Sequence, residues 1–265
     1  MLRTRLATAA VAIPVLWLLV QTMWPPLFAA FILVVLGIGA AEYAWMAFPD
    51  EPGVRAVTVV TALGVGAGMM SGWPWDGVTV ATAFLVMLLG PLTTPDDLST
   101  GVRRWALVWF GVIYVGFLTP HVVLLRNVPP QGWRWVLFTL FVAMGSDTGG
   151  YFGGRWFGRR KLFEAVSPAK TIEGALGSIA GAIVLAVFCR AVFFDRTGTV
   201  AAVALAIVVS VLGQCGDLCE SALKRAFGAK DSGWIVPGHG GILDRLDSML
   251  LPVVFMYHWV AVVGG

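Results

Sequence analysis

Two segments near the end of this sequence combine residue types that can hold a metal ion and phosphate together. The first reads Gly213, Gln214, Cys215, Gly216, Asp217, Leu218, Cys219, Glu220, Ser221, Ala222, Leu223, Lys224, Arg225. Helical residues three, four and seven apart share a face, so Asp217, Glu220, Ser221 and Lys224 stand together. The second opens an apolar run with Asp244, Arg245, Leu246, Asp247 and Ser248, again with carboxylates three apart. Between them lie Lys230, Asp231, Ser232, Gly233 and then Pro237, Gly238, His239, Gly240, Gly241. Glycines let backbone N–H groups approach an anion, and the helix start that follows favours negative charge. Carboxylates on both sides suit a hard divalent cation such as Mg2+, which leaves positions for water and phosphate oxygens. The bland alternative is ion pairing of these carboxylates with Lys224, Arg225 and Arg245.

A third segment runs from Ser146, Asp147, Thr148, Gly149 and Gly150 through Arg155, Arg159, Arg160 and Lys161 to Ser167, Pro168, Lys170, Thr171, Glu173 and Gly174. Asp147 interrupts an apolar run, where a carboxylate is costly unless paired, hydrated or metal-bound. Ser167, Pro168, Lys170, Thr171 and Glu173 are expected to form a capped helix start with donors suited to a triphosphate. Arg159, Arg160 and Lys161 read equally well as charges drawn to anionic lipid headgroups. Nothing suits zinc, because His121 and His258 are isolated from one another and from other ligands. Cys189, Cys215 and Cys219 lack paired spacing and read as small core residues rather than disulfide partners.

The elements that must position these residues are set by composition. Of 265 residues, 58% are hydrophobic and only 12% charged, with mean hydropathy +0.83; a soluble domain carries about 25% charged residues. Such a chain is a membrane protein. A disordered chain, a nucleic-acid module and a disulfide scaffold each need polarity, a basic surface or dense cysteine that is missing here. A span needs about 20 mostly apolar residues, which gives nine expected segments: 6–24, 27–48, 57–75, 78–93, 105–126, 135–154, 173–194, 200–222 and 242–263. Arg3 and Arg5 precede the first, which lacks a small-residue cleavage site and is expected to be a retained helix. Of the 18 Lys and Arg residues, only Arg126, Arg134, Arg190 and Arg196 fall on the side opposite the N-terminus. Positive charge marks the cytoplasmic side, so the N-terminus and the two long basic loops are expected there. The fold class is therefore an all-α polytopic helical bundle. It is one integral membrane domain over 1–265, with N-terminal helices in 1–134 and the chemistry in 135–265.

The run from Ser221 to Asp247 resembles the signature of the phosphatidate cytidylyltransferases, the CDP-diacylglycerol synthases. It carries Ser221, Leu223, Lys224, Arg225, Lys230, Asp231, Pro237, Gly238, His239, Gly240, Gly241, Ile242, Leu243, Asp244, Arg245 and Asp247. The stretches Gly213 to Glu220 and Asp147 to Gly174 are similar to that family as well. The resemblance implies transfer of a cytidylyl group from CTP to phosphatidic acid, giving CDP-diacylglycerol and pyrophosphate, with Mg2+ and room for a second cation. It implies Asp217, Asp244 and Asp247 as metal ligands, with Glu220 and Ser221 behind them. Lys224, Arg225, Lys230 and Arg245 would bind phosphate oxygens, and His239, Gly240 and Gly241 would shape the phosphate turn. Asp147, Arg155, Ser167, Lys170 and Thr171 would serve the nucleotide. A homodimer in a bacterial inner membrane, with the site facing the cytoplasm and acyl chains entering between helices, completes what it implies.

Three other readings compete. A related enzyme would use another lipid phosphate or dCTP with the same headgroup chemistry. A cation transporter would place its charges at the bilayer midplane with paired half-helices, and a nonenzymatic scaffold has no use for this acidic cluster. Glu42, in the second span, either lines the same cavity or pairs with a neighbouring helix.

Overall fold

Prolines open the first long helices. The computed structural model of the chain describes residues 17–72, 75–93, 97–195, 197–233 and 241–263. Residues 17–22 are helical (α1), and α2 (Pro25–Ala47) and α3 (Pro52–Ser71) each carry Pro in the first helical positions, where the missing N–H costs nothing. There follow α4 (Trp75–Leu89), with a 3-10 turn at Gly90–Thr93, and α5 (Leu98–Gly111), capped by the Asp97 side chain on Ser99 N. A π-helical stretch, Val112–Phe117, joins α5 towards α6 (His121–Asn127). Then come α7 (Gly132–Phe157), β1 (Lys161–Phe163), β2 (Ser167–Thr171), α8 (Ile172–Val192), α9 (Thr199–Ala226) and α10 (Leu243–Val263).

Each of the nine expected segments overlaps a helical stretch, the first through residues 17–22. Among the described residues six helices are long and apolar enough to cross a bilayer: α2, α3, the path Leu98–Asn127, α8, α9 and α10. α7 has the length, at 26 residues, but its glycines, Ser146, Asp147 and Arg155 dilute its hydropathy.

Four expectations need correction. The chain is not purely helical: β1 and β2 form an antiparallel hairpin pairing Lys161 with Thr171 and Phe163 with Ser167. Accordingly Ser167 does not start a helix. Pro168 drives the residue before it into extended backbone, and the cap falls on Thr171, whose Oγ1 accepts from Gly174 N at 3.1 Å. The histidines are not isolated in space, for the His121 and His258 rings lie 5.5 Å apart. Cys189 is buried, whereas Cys215 and Cys219 are exposed on α9, so only the first behaves as a core residue.

Two contacts set the frame for the site. α7 and α8 touch backbone to backbone: a Cβ on Gly149 would sit 2.2 Å from the Gly177 carbonyl oxygen, and one on Gly181 would sit 2.2 Å from that of Gly145. Small residues at four-residue spacing are how helices approach closely where lipid offers no hydrophobic drive. α9 meets α10 in the same way, with a Gly216 Cβ position 2.1 Å from the Asp247 carbonyl oxygen. α10 also faces both apolar clusters. Val253, Met256 and Val260 join the cluster built with α6–α9, while Leu243 and Leu250 join that of α2–α5.

Candidate active site

The close approach of α9 and α10 brings their carboxylates into one group. Lys224 Nζ stands between two of them, 2.9 Å from Glu220 Oε2 and 2.5 Å from Asp244 Oδ1. The other Asp244 oxygen accepts from Ser232 N at 3.0 Å, Ser232 Oγ at 2.8 Å and Gly241 N at 2.8 Å. Asp244 thereby ties Ser232 and Gly241 of the connecting loop to the start of α10. Asp247 is buried and its Oδ1 accepts from Ser248 N at 2.6 Å. Its neighbour is the carboxyl of Glu220, which is fully buried. Glu220 Oε1 has no hydrogen-bond partner among the described residues.

The hairpin reaches the same group from the other side. Lys170, near the end of β2, places Nζ 2.6 Å from Asp217 Oδ2, and Ser221 Oγ donates to Asp217 Oδ1 at 3.4 Å. Glu173 holds the hairpin in place by accepting from Arg159 N and Arg160 N at 2.9 and 3.2 Å. Arg155 bonds Tyr151 Oη at 3.0 Å.

Three cavities meet here. A polar cavity of about 610 Å³ is walled by Asp147, Asp217, Lys224, Asp231, Asp244, Arg245 and Asp247. A second, of about 500 Å³, lies between the hairpin and the glycine faces of α7 and α8, with Arg155, Lys170, Thr171 and Gln214 in its wall. It shares Asp147 and Asp217 with the first. A third, of about 220 Å³ and apolar, is lined by residues such as Phe28, Ile32, Val122 and Val253, and meets the first at Leu140, Arg245 and Met249. Asp147 and Asp217 thus stand at one doorway, and Arg245 at the other.

Most residues expected to do chemistry converge on these walls. Ser167, Glu220, Arg225 and Lys230 do not line them: Ser167 pairs with Phe163 in the hairpin, Glu220 is buried against Lys224, and Arg225 and Lys230 are exposed. Ser221 acts on Asp217, and Gly241 supplies a backbone N–H to Asp244. His239 and Gly240 lie outside the described residues. The sequence reading passed over Tyr114, whose buried hydroxyl has no partner among the described residues and lies within electrostatic range of Glu220, Asp247 and Asp217. A lone tyrosine in an apolar helix carries no signal of this.

Residues 3–263 match the model of the cytidylyltransferase family. The chain belongs to that family. Among curated relatives, the phosphatidate cytidylyltransferase of Bacillus subtilis is 40% identical over 178 residues, covering 67% of this chain and 66% of that protein. That of Brucella suis is 36% identical over 200 residues, covering 72% and 73%. That of Staphylococcus epidermidis is 42% identical over 146 residues, or 55% of each.

Proposed function

We propose that this chain transfers the cytidylyl group of CTP to phosphatidic acid, giving CDP-diacylglycerol and pyrophosphate for phospholipid synthesis. The observation that carries this reading is the junction of the three cavities. An apolar pocket opens at Arg245 onto the carboxylates, and the carboxylates open at Asp147 and Asp217 onto the Lys170 pocket. Acyl chains fit the first, because only an apolar path keeps them out of water, and Arg245 is placed to take the lipid phosphate. The triphosphate fits the pocket of Arg155, Lys170 and Thr171, with Lys170 able to exchange Asp217 for a phosphate oxygen.

Between them a phosphate oxygen of phosphatidic acid attacks the α-phosphorus of CTP. The bond from that phosphorus to the β-phosphate bridging oxygen breaks, and pyrophosphate leaves with the electron pair. The attacking oxygen is already anionic at neutral pH, so no general base is required, and positioning with charge compensation supplies the catalysis.

Among the described residues no group of three or more His, Cys, Asp or Glu side chains is drawn together as a metal site, so Mg2+ is proposed on donor chemistry: the set consists of oxygens only, and the buried Glu220 Oε1 lacks a partner among the described residues, which a hard cation would supply. Asp217, Glu220, Asp244 and Asp247 would hold it, Asp244 by giving up its contact with Lys224. When bound, Mg2+ offsets charge on the attacking and leaving oxygens.

The asymmetry of Lys and Arg supports nine crossings with a cytoplasmic N-terminus and a site at the cytoplasmic face, and the bacterial relatives support a bacterial inner membrane. A single domain is supported by α10, which packs into both apolar clusters. A homodimer follows the family resemblance.

The test is pyrophosphate release from CTP by detergent-purified protein, with and without phosphatidic acid and Mg2+, beside Asp247→Asn. Release that needs both lipid and metal, and that Asp247→Asn abolishes while remaining folded, is the expected result. No release with any lipid phosphate from folded protein sinks the reading.

A further inference from the structure

Glu42 sits on α2, 200 residues from Ile242 in sequence, and is only 5% exposed. A carboxylate buried among apolar helices must find donors. Its Oε1 accepts from Ile242 N at 3.0 Å and its Oε2 from Leu243 N at 2.8 Å, with Ser232 Oγ 3.4 Å from Oε2. The first N–H groups of a helix have no partner within it, so Glu42 caps α10 from another helix, with charge suited to the helix dipole. The fit extends to the loop. A Cβ on Gly233 would lie 2.5 Å from Glu42 Oε1, and one on Gly241 2.5 Å from Oε2, so both glycines make room for this carboxylate. Asp244 grips the same two places from the opposite side, through Ser232 N and Gly241 N. Glu42 itself lines none of the three cavities.

We propose that Glu42 is a positioning residue: by holding Ile242 and Leu243 it sets the height and rotation of the first turn of α10, and with it the place of Asp244 and Asp247. Asp244 follows the held residues directly and Asp247 lies one turn on, so slack at this cap moves both. The catalytic consequence rests on the site assignment proposed above. The positional claim does not.

The variants are Glu42→Gln, Glu42→Ala, Gly233→Ala and the double variant Glu42→Ala with Gly233→Ala, in the full-length purified protein. Folded fraction is measured for each, and kcat is given per folded protein. In Glu42→Gln, deuterium exchange of peptides covering 241–247 is expected to speed up about tenfold or more, with α7 and α8 unchanged, because local opening sets exchange. Turnover is expected to fall about tenfold in kcat, with KM for CTP and phosphatidic acid within about threefold, the pattern of lost transition-state alignment. Gly233→Ala should lower kcat alone by pushing the carboxylate aside, and add nothing in the Glu42→Ala background. Exchange at 241–247 within about twofold of wild type overturns the proposal. So does a kcat within about twofold, or losses that multiply in the double variant. Wild-type protein that releases no pyrophosphate defeats the catalytic reading instead, and the exchange result then decides the role of Glu42 alone.

Discussion

Lys224 is the most exposing place to test the electrostatics of this site. Its ammonium group lies 2.9 Å from Glu220 and 2.5 Å from Asp244, with side-chain exposures of 13%, 0% and 11% for the three residues. Lys224→Met keeps the length and apolar stem but leaves two carboxylates, with Asp247 beside them, without their shared cation. Exposed ion pairs contribute ~0–1 kcal/mol, whereas removing one partner of a buried pair costs ~3–5 kcal/mol because the other charge is left stranded. With slight exposure on two of the three groups, the lower end applies, about 3 kcal/mol. At ~2–4 °C per kcal/mol for a chain approaching this size, the unfolding midpoint in detergent should drop by roughly 6–12 °C. On the proposed reading Mg2+ would compensate the same carboxylates as Lys224, so millimolar Mg2+ should raise the midpoint of Lys224→Met more than that of wild type. The assay is thermal unfolding followed by intrinsic tryptophan fluorescence, with and without Mg2+. A variant within about 1 °C of wild type, indifferent to Mg2+, would refute the argument that these carboxylates are short of positive charge.

Three further outcomes follow from other positions. Gly149→Ala puts a methyl group 2.2 Å from the Gly177 carbonyl oxygen, and since backbone must yield, it should cost ~1–3 kcal/mol. Gly64→Ala, where nothing lies within 4 Å, should be neutral or stabilising by up to ~1 kcal/mol in the same melt. Lys170→Gln removes the ammonium group 2.6 Å from Asp217 and a charge-assisted contact worth ~1.5–3 kcal/mol to a phosphate. In initial-rate kinetics it should raise KM for CTP about tenfold or more and leave KM for phosphatidic acid within about threefold; an equal rise in both would place the triphosphate elsewhere.

The carboxylates of α9 and α10 were legible in the sequence because an apolar background makes every charge conspicuous, and helical spacing then says which of them share a face. What spacing within one segment cannot supply is a partner 200 residues away, so Glu42 was visible as an anomaly while its role was not. Tyr114 escaped for the opposite reason, since a phenol in an apolar helix looks like ordinary core until its hydroxyl is found buried and unpartnered among the described residues, within electrostatic range of Glu220. The hairpin was misread through a true signal in the wrong place. Threonine, glutamate and glycine do cap α8, but at Thr171 rather than Ser167, and Pro168 hands the intervening residues to a strand. α7 was expected as a span from its apolar first half, whereas its second half trades hydropathy for the glycine contacts that seat α8.

The double allegiance of α10 bears on how the protein is made. A ribosome delivers the chain from its N-terminus, so every other described helix reaches the bilayer before the one that seals both apolar clusters. Until α10 arrives, Glu42 lacks the Ile242 and Leu243 N–H groups that satisfy it, and an exposed or unsatisfied carboxylate in lipid is the kind of defect that membrane quality control can detect. Arrival of that one helix cures the defect, closes both clusters and delivers Asp244 and Asp247. On the proposed site assignment, formation of the carboxylate group is therefore coupled to delivery of α10, and a chain without that helix lacks Asp244 and Asp247 as well as the donors for Glu42.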